Sequence, residues 1–267
     1  MSDSRIERQR ELTQELERGF VAVRDSERFK HYLSTIARFH DYSMCNCLLI
    51  WTQRPDATRV AGYQTWRGMG RYVRRGERGI RIMAPMPWRR VEDVDGEEEV
   101  TAEGCSFKAV SVFDLSQTDG ENLPTIADDL AGDDAGLYAS LSTIARNEGL
   151  AVDRTPGLGN GSNGFYARDR KLIWLRPDTS PAMAAKTFAH ELAHHFAGHD
   201  VGGCRGEAET VAEGAAYIVL GHFGIDCGEY SFDYLASWTD DKVFKAKLGE
   251  IHGAATTIID AVEEIAG

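Results

Sequence analysis

Thr187-Phe-Ala-His190-Glu191-Leu-Ala-His194 decides how the second half of this 267-residue chain is read. It contains the pattern H-E-x-x-H. Four residues turn an α-helix through about 400°, so His190 and His194 stand about 40° apart on one face. Both imidazoles can then reach a single Zn²⁺ at about 2.0–2.1 Å. Phe188, Leu192 and Phe196 fall on the opposite side, where a core would lie. The helix has a start signal, because Ser180 can cap it and Pro181 suits the first helical position. Glu191 projects beside the histidines and can take a proton from a zinc-activated water and pass it to a leaving amine.

A zinc site needs a third protein ligand. Gly198, Gly202, Gly203 and Gly206 mark a turn, and Glu207-Ala-Glu209-Thr-Val-Ala-Glu213-Gly-Ala-Ala opens another helix. Glu209 and Glu213 share a face at i, i+4. Ala212, Gly214, Ala215 and Ala216 would let this helix approach the first closely. Glu209 is the expected ligand, and Glu213 is expected to orient a ligand histidine. Asp200, six residues after His194, is the competing third ligand. His195 and His199 read as positive charges at a helix C-terminus. Cys204, between the two helices, would be the fourth ligand of a closed, structural site. Lys171-Leu-Ile-Trp-Leu175 reads as an edge strand that could pair with an extended peptide.

Upstream, the composition changes. The chain carries a formal net charge of -12, yet residues 1–90 hold 18 Lys and Arg against 10 Asp and Glu, while residues 91–267 hold 12 against 32. Residues 54–90 contain ten arginines, two acids and no lysine, interleaved with Tyr63, Trp66, Tyr72 and Trp88. Arginine forks suit phosphates and aromatic faces suit unstacked bases, a combination that fits single-stranded nucleic acid. The candidate nucleic-acid contacts are Tyr63, Trp66, Arg67, Arg71, Tyr72, Arg74, Arg75 and Arg78.

Apolar residues make up 42% of the chain, enough for a sizeable core. Helical spacing covers residues 5–40 (Leu12, Leu16, Phe20, Val23, then Phe29, Leu33, Ile36, Phe39), and Met44–Gln53 reads as a short buried helix. The stretches from Gly79 and from Phe107 alternate as paired strands, with a hairpin tip in the acidic run Glu92–Glu99. Residues 116–133, with Gly120, Pro124, Gly132 and five acids, mark a boundary. The expected architecture is α+β: an N-terminal domain of helices and a small antiparallel sheet at 1–118, a linker at 119–133, and a metallopeptidase-like domain of a small sheet and active-site helices at 134–267. Five cysteines without ribbon spacing, a polar N-terminus and no membrane-length apolar run predict a cytoplasmic protein with no membrane partner.

One resemblance joins the halves. Ala61-Gly-Tyr-Gln-Thr-Trp66-Arg-Gly-Met-Gly70-Arg-Tyr-Val-Arg-Arg-Gly76-Glu-Arg-Gly79-Ile, with Asn46-Cys-Leu-Leu before it and Val112-Phe113-Asp-Leu-Ser-Gln117-Thr after it, resembles the single-stranded-DNA-binding domain of ArdC-type antirestriction proteins. The second half looks like that family's zincin domain, related to the ImmA/IrrE metallopeptidases, and Glu209-x-x-Ala212-Glu213 is similar to its third-ligand helix. The resemblance implies a zinc metallopeptidase of a mobile element that protects incoming DNA and acts on a protein or peptide substrate. Two alternatives stay open: a non-catalytic DNA-shielding protein with a structural zinc, and a regulatory peptidase of the ImmA/IrrE kind that cuts a repressor.

Overall fold

The structure, a computed structural model, describes residues 3–94, 97–121, 136–158, 161–199, 205–225, 232, 235 and 238–267. In chain order the elements are α1 (Asp3–Ala22), α2 (Ser26–Arg38), α3 (Met44–Gln53), β1 (Val60–Gly62), α4 (Tyr63–Gly68), β2 (Arg71–Val73), β3 (Ile80–Val94), β4 (Glu97–Asp114) and β5 (Thr118–Gly120). Then follow α5 (Leu137–Asn147), β6 (Ala151–Asp153), β7 (Gly164–Ala167), β8 (Leu172–Leu175), α6 (Pro181–Phe196), α7 (Arg205–His222) and α8 (Asp241–Ala266). The fold is α+β, with helices and small sheets.

Contacts group the chain into two units, Met1–Ala22 with Leu48–Leu123, and Val23–Cys47 with Pro124–Gly267. This grouping differs from a contiguous division at 1–118, because the segment holding α2 goes with the second unit. The reason lies in what periodicity can report. Phe29, Tyr32, Leu33 and Ile36 form a buried stripe on α2, but a stripe says only that a helix is covered and leaves its cover open. Here the cover includes Phe232, whose ring meets that of Phe29 at 5.0 Å, and Tyr217, whose hydroxyl is 2.8 Å from Ser34 Oγ. Most of the expected linker lies outside the described residues.

In the first unit β3 and β4 form a long antiparallel hairpin, paired from Ile80↔Val112 to Val94↔Glu97, and β1 joins the free side of β4. Ile80, Ile82 and Val112 bury one face near its base. The base is locked by Asp114, which is 1% exposed and accepts hydrogen bonds from the backbone N–H groups of Thr58, Arg59 and Ser116 at 2.8, 3.1 and 2.9 Å. Burial pushes its carboxyl pKa up, but a hydrogen bond from the Ser116 hydroxyl together with those backbone bonds outweighs burial and holds it below its ordinary value. Gln117 completes the lock: its Oε1 accepts from Asp114 N–H (2.9 Å) and its Nε2 donates to the Arg78 carbonyl (2.8 Å). The stretch Val112–Thr118 is thus a structural clasp. Gly120, at φ +134°, lies where an added Cβ would sit 2.4 Å from the Gly70 carbonyl, so β2 and β5 can pair only with glycine there.

In the second unit the sheet order is β6-β8-β7, with β6 parallel and β7 antiparallel to β8. This corrects the expectation for Lys171–Leu175: β8 is the central strand, with Ile173, Trp174 and Leu175 buried, and β6 and β7 are the edges. The run Leu-Ile-Trp-Leu is apolar without alternation, which is what a strand covered on both faces requires. Helix α6 starts at Ser180, whose hydroxyl accepts from Met183 N–H at 3.3 Å, with Pro181 in the first turn. Its buried stripe of Ala184, Ala185, Phe188, Ala189, Leu192 and Ala193 packs against α5, α7 and α8. On α7, Gly214 faces α8: a Cβ there would come within 3.1 Å of Ile251.

Candidate metal centre and nucleic-acid face

Helix α6 presents His190 and His194 one turn apart, and α7 presents Glu209 opposite them. His190 Nε2 lies 3.2 Å from His194 Nε2 and 3.2 Å from Glu209 Oε2, and His194 Nε2 lies 3.7 Å from the same oxygen. Three ligands bound tetrahedrally at about 2.0–2.1 Å would stand about 3.3–3.4 Å apart. The triangle therefore fits one ion of zinc size, and two imidazoles with a carboxylate are a donor set that suits it. Asp200 and Cys204 lie outside the described residues.

Outer partners fix the tautomers. Glu213 Oε2 accepts from His190 Nδ1–H at 3.1 Å, so a cation that displaced the second proton would meet the Nε2 lone pair in the triangle. Lys186 Nζ stands 3.4 Å from the other Glu213 oxygen. His194 Nδ1 is 2.9 Å from His199 Nδ1. If His194 Nε2 is a ligand, its Nδ1–H must donate and His199 must accept, which requires a neutral His199. Burial, and then the His194 charge, lower the His199 pKa and favour that neutral ring. His199 Nε2 then carries the proton, with Glu250 at 3.8 Å. Its spacing five residues after His194 points to no helical face, so sequence offered no signal for this role beyond a histidine in the turn after the motif. His195 instead meets Tyr166 Oη at 3.0 Å and Glu148 at 3.3 Å.

Glu191 is 7% exposed and lies against β7, where the Tyr166 backbone N–H reaches it. Burial raises its pKa, opposed by His190 and His194, and the net shift is upward, toward a carboxylate that can hold a proton. Burial lowers the His190 pKa, but Glu209 and Glu213 overcome it and push it up to about 10. Glu209 is held low by hydrogen bonds from His190 and His194. These residues line a cleft of about 780 Å³ walled by α6, α7 and the edge strand β7 with Asn163, Phe165 and Tyr166. The arrangement brings donors that could hold a cation, a proton carrier and, among the described residues, a strand edge without a neighbouring strand into one space.

The basic half separates into scaffold and surface. Trp66 is fully buried and its Nε1–H donates to the Phe113 carbonyl at 2.8 Å, so it cannot stack on a base. This corrects its place among the DNA contacts: an indole serves the core as readily as it serves a ligand, and its neighbours in sequence do not tell which. Arg71 is committed to β5, donating to Thr118 Oγ1 (2.9 Å) and to the Thr118 (3.0 Å) and Glu121 carbonyls. Arg74 binds Glu77 (2.9 Å), Asp119 (3.4 Å) and the Ser116 carbonyl (2.5 Å). Tyr63, Arg67, Tyr72, Arg75 and Arg78 are exposed, and Trp88 and Phe107 on the hairpin are exposed as well.

Residues 3–113 match the family model of the N-terminal domain of anti-restriction factor ArdC. The chain is 23% identical over 277 aligned positions to the uncharacterized protein pXO2-81 of Bacillus anthracis, a match that takes in 86% of this chain and 46% of that protein. The chain thus spans about half the length of this curated relative. Two crystal structures of the antirestriction ArdC protein from plasmid R388 share its fold. The metal-free one has a TM-score of 0.54 at 19% identity, covering 82% of this chain and 85% of that one. The Mn(II)-bound one has a TM-score of 0.51 at 18% identity, covering 84% of each. Residues 3–113 thus carry a domain similar to the N-terminal domain of ArdC, and the chain shares the fold of the ArdC structures.

Proposed function

We propose that this chain is a metal-dependent peptidase of the zincin kind that works at single-stranded DNA, in an antirestriction role on a mobile element. The observation that carries the reading is the donor triangle of His190, His194 and Glu209 with Glu191 beside it in an open cleft. A divalent cation held there, Zn²⁺ by the donor set, would supply Lewis acidity toward a peptide carbonyl and toward water. Glu191 would take the proton from the attacking water and return it to the departing amine, the work for which its raised pKa suits it. Glu213 and His199 hold the two ligand rings in their tautomers. The edge of β7 is placed to pair with an extended substrate backbone.

For the DNA half, the support is the ArdC-type domain with its exposed arginines and tyrosines. An antirestriction role and a plasmid setting are what the ArdC relative's name supplies. The experiment is proteolysis of a DNA-bound protein substrate by metal-loaded chain, with and without single-stranded DNA, comparing parent with Glu191→Gln. The expected result is at least a hundredfold loss of turnover, on the order of removing a general base, at unchanged metal content. Equal cleavage by the variant overturns the peptidase reading. DNA protection that survives in the variant would favour a shielding protein with a structural ion.

A further inference from the structure

A second cluster, which the cleft does not use, lies at the other end of α7. His222 is the last residue of that helix. Its Nδ1 stands 2.8 Å from the Ala37 carbonyl oxygen, so Nδ1 carries the proton and Nε2 keeps its lone pair. That Nε2 is 3.0 Å from Glu263 Oε1. A lone pair faces a carboxylate at such a distance only if a cation joins them or the ring takes a second proton. His40, two residues beyond the end of α2, is 7% exposed, and its Nε2 is buried without a hydrogen-bond partner. Around that atom stand Asp41 at 3.5 Å, Asp260 at 3.7 Å and Glu263 at 3.8 Å. The His40 and His222 rings meet edge to face with centroids 4.5 Å apart. One donor atom from each of His40, His222 and Glu263 lies within 4.8 Å of the other two.

These separations discriminate between occupants. An imidazolium bonded directly to a carboxylate would bring N and O to about 2.7–2.9 Å. The gaps of 3.5–3.8 Å around His40 Nε2 are too long for that and closer to the spacing of two ligands on one ion, about 3.3–3.4 Å for zinc, while the 3.0 Å between His222 and Glu263 fits either occupant, so His40 carries the distinction. Asp260 and Glu263 side chains are 60% and 50% exposed, so small torsions can bring them in. The surroundings also favour positive charge. The C-terminal ends of α2, α7 and α8 converge on the cluster, and each helix end carries a partial negative charge.

We propose that His40, His222 and Glu263 form a second divalent-cation site, for a transition ion of the Zn²⁺ class, with Asp260 or Asp41 completing its shell. Two imidazole nitrogens select such an ion over Mg²⁺ or Ca²⁺, which prefer oxygen ligands alone. A shell closed by protein side chains makes it a structural site. It staples the loop after α2 to the ends of α7 and α8. Helix α7 carries Glu209 and Glu213 near its other end, Glu209 being thirteen residues and about 20 Å from His222. The staple therefore steadies the helix that supplies the carboxylates of the first centre. None of this depends on the peptidase reading.

The test isolates the second site in the full chain carrying His190→Ala and His194→Ala. Equilibrium dialysis against Zn²⁺ followed by elemental analysis is expected to find one ion per chain. Adding His222→Gln, which keeps an amide donor for the Ala37 carbonyl, or separately Glu263→Gln, is expected to weaken binding at least tenfold. Zn²⁺ should raise the melting temperature of the double variant and leave that of the triple variant unmoved. In the otherwise unaltered chain, His222→Gln should reduce two bound ions to one. A folded double variant that retains no Zn²⁺, or an unaltered chain whose stoichiometry is indifferent to His222→Gln, overturns the proposal regardless of any proteolysis result.

Discussion

His190 shows how much of the centre is written in single side chains and how much in their neighbours. Its ordinary pKa of 6.5 rises to about 10 because two glutamates of α7 face its two nitrogens. In the ion-free protein this ring keeps its proton through neutral pH. Its contribution to stability is complete below about 6.5 and is lost as pH rises through about 10. A metal ion must displace that proton, so binding should tighten with pH across the same window, by up to about tenfold per unit. Zn²⁺ titrations of ion-free chain at pH 7 and pH 8 check this, and equal affinities would exclude His190 as a ligand. Trp66 and Tyr72 make the complementary case, since both carry aromatic rings in one basic stretch. Trp66→Ala should cost about 3–5 kcal/mol in unfolding, as large aromatic truncations in cores do. Tyr72→Ala, from a side chain 57% exposed, should leave the unfolding midpoint in place and weaken single-strand binding by about 1–3 kcal/mol if a base stacks there.

At the scale of elements the centre depends on how closely β7 lies against α6. Gly164 has no room for a side chain: a Cβ would sit 2.5 Å from Thr187 Cγ2, 3.0 Å from the Trp174 carbonyl and 3.2 Å from Glu191 Oε1. Gly164→Ala should push β7 away from Glu191, destabilise by about 1–3 kcal/mol as overpacking does, and lower turnover as the strand edge shifts. Chemical denaturation alongside the proteolysis assay reads both effects. Helix α6 is legible in sequence because its start, its apolar back and its two histidines each announce themselves. The order of the sheet is not. Lys171–Leu175 and Gly164–Ala167 are both short, and adjacency in sequence to α6 is no guide to adjacency in space, since β8 connects to the helix while β7 packs on it.

For the molecule as a whole, charge distribution carries the functional expectation. Arg67, Arg75 and Arg78 are exposed and, on the proposed reading, should act on nucleic acid through phosphates. Their joint replacement by alanine should weaken binding to any single strand and flatten the salt dependence by about 0.7 in log–log slope for each phosphate no longer neutralised. Fluorescence anisotropy across a salt series measures this. Arg71→Ala and Arg74→Ala should instead loosen the β2–β5 pairing and appear chiefly as reduced stability, because their guanidinium groups already hold Thr118, Ser116 and Asp119. No helix among the described residues is long and apolar enough to cross a membrane.

By itself the sequence determined what local rules can determine. Residues four apart share a helical face, so the pairings of His190 with His194 and of Glu209 with Glu213 follow from spacing alone. Apolar spacing of three to four located the helices, and alternation located the β3–β4 hairpin. Only the tertiary structure decided what meets what. It brought Glu209 within 3.2 Å of His190 and set His199 behind His194. It sent Trp66 inward, grouped α2 with the second unit, and gathered His40, His222 and Glu263 from three distant parts of the chain. The physical reason is that periodicity reports whether a side chain is covered, and covering is a property of one element. Coordination, tautomer and proton affinity are properties of groups far apart in the chain, and they exist only once packing has placed those groups a few ångströms apart.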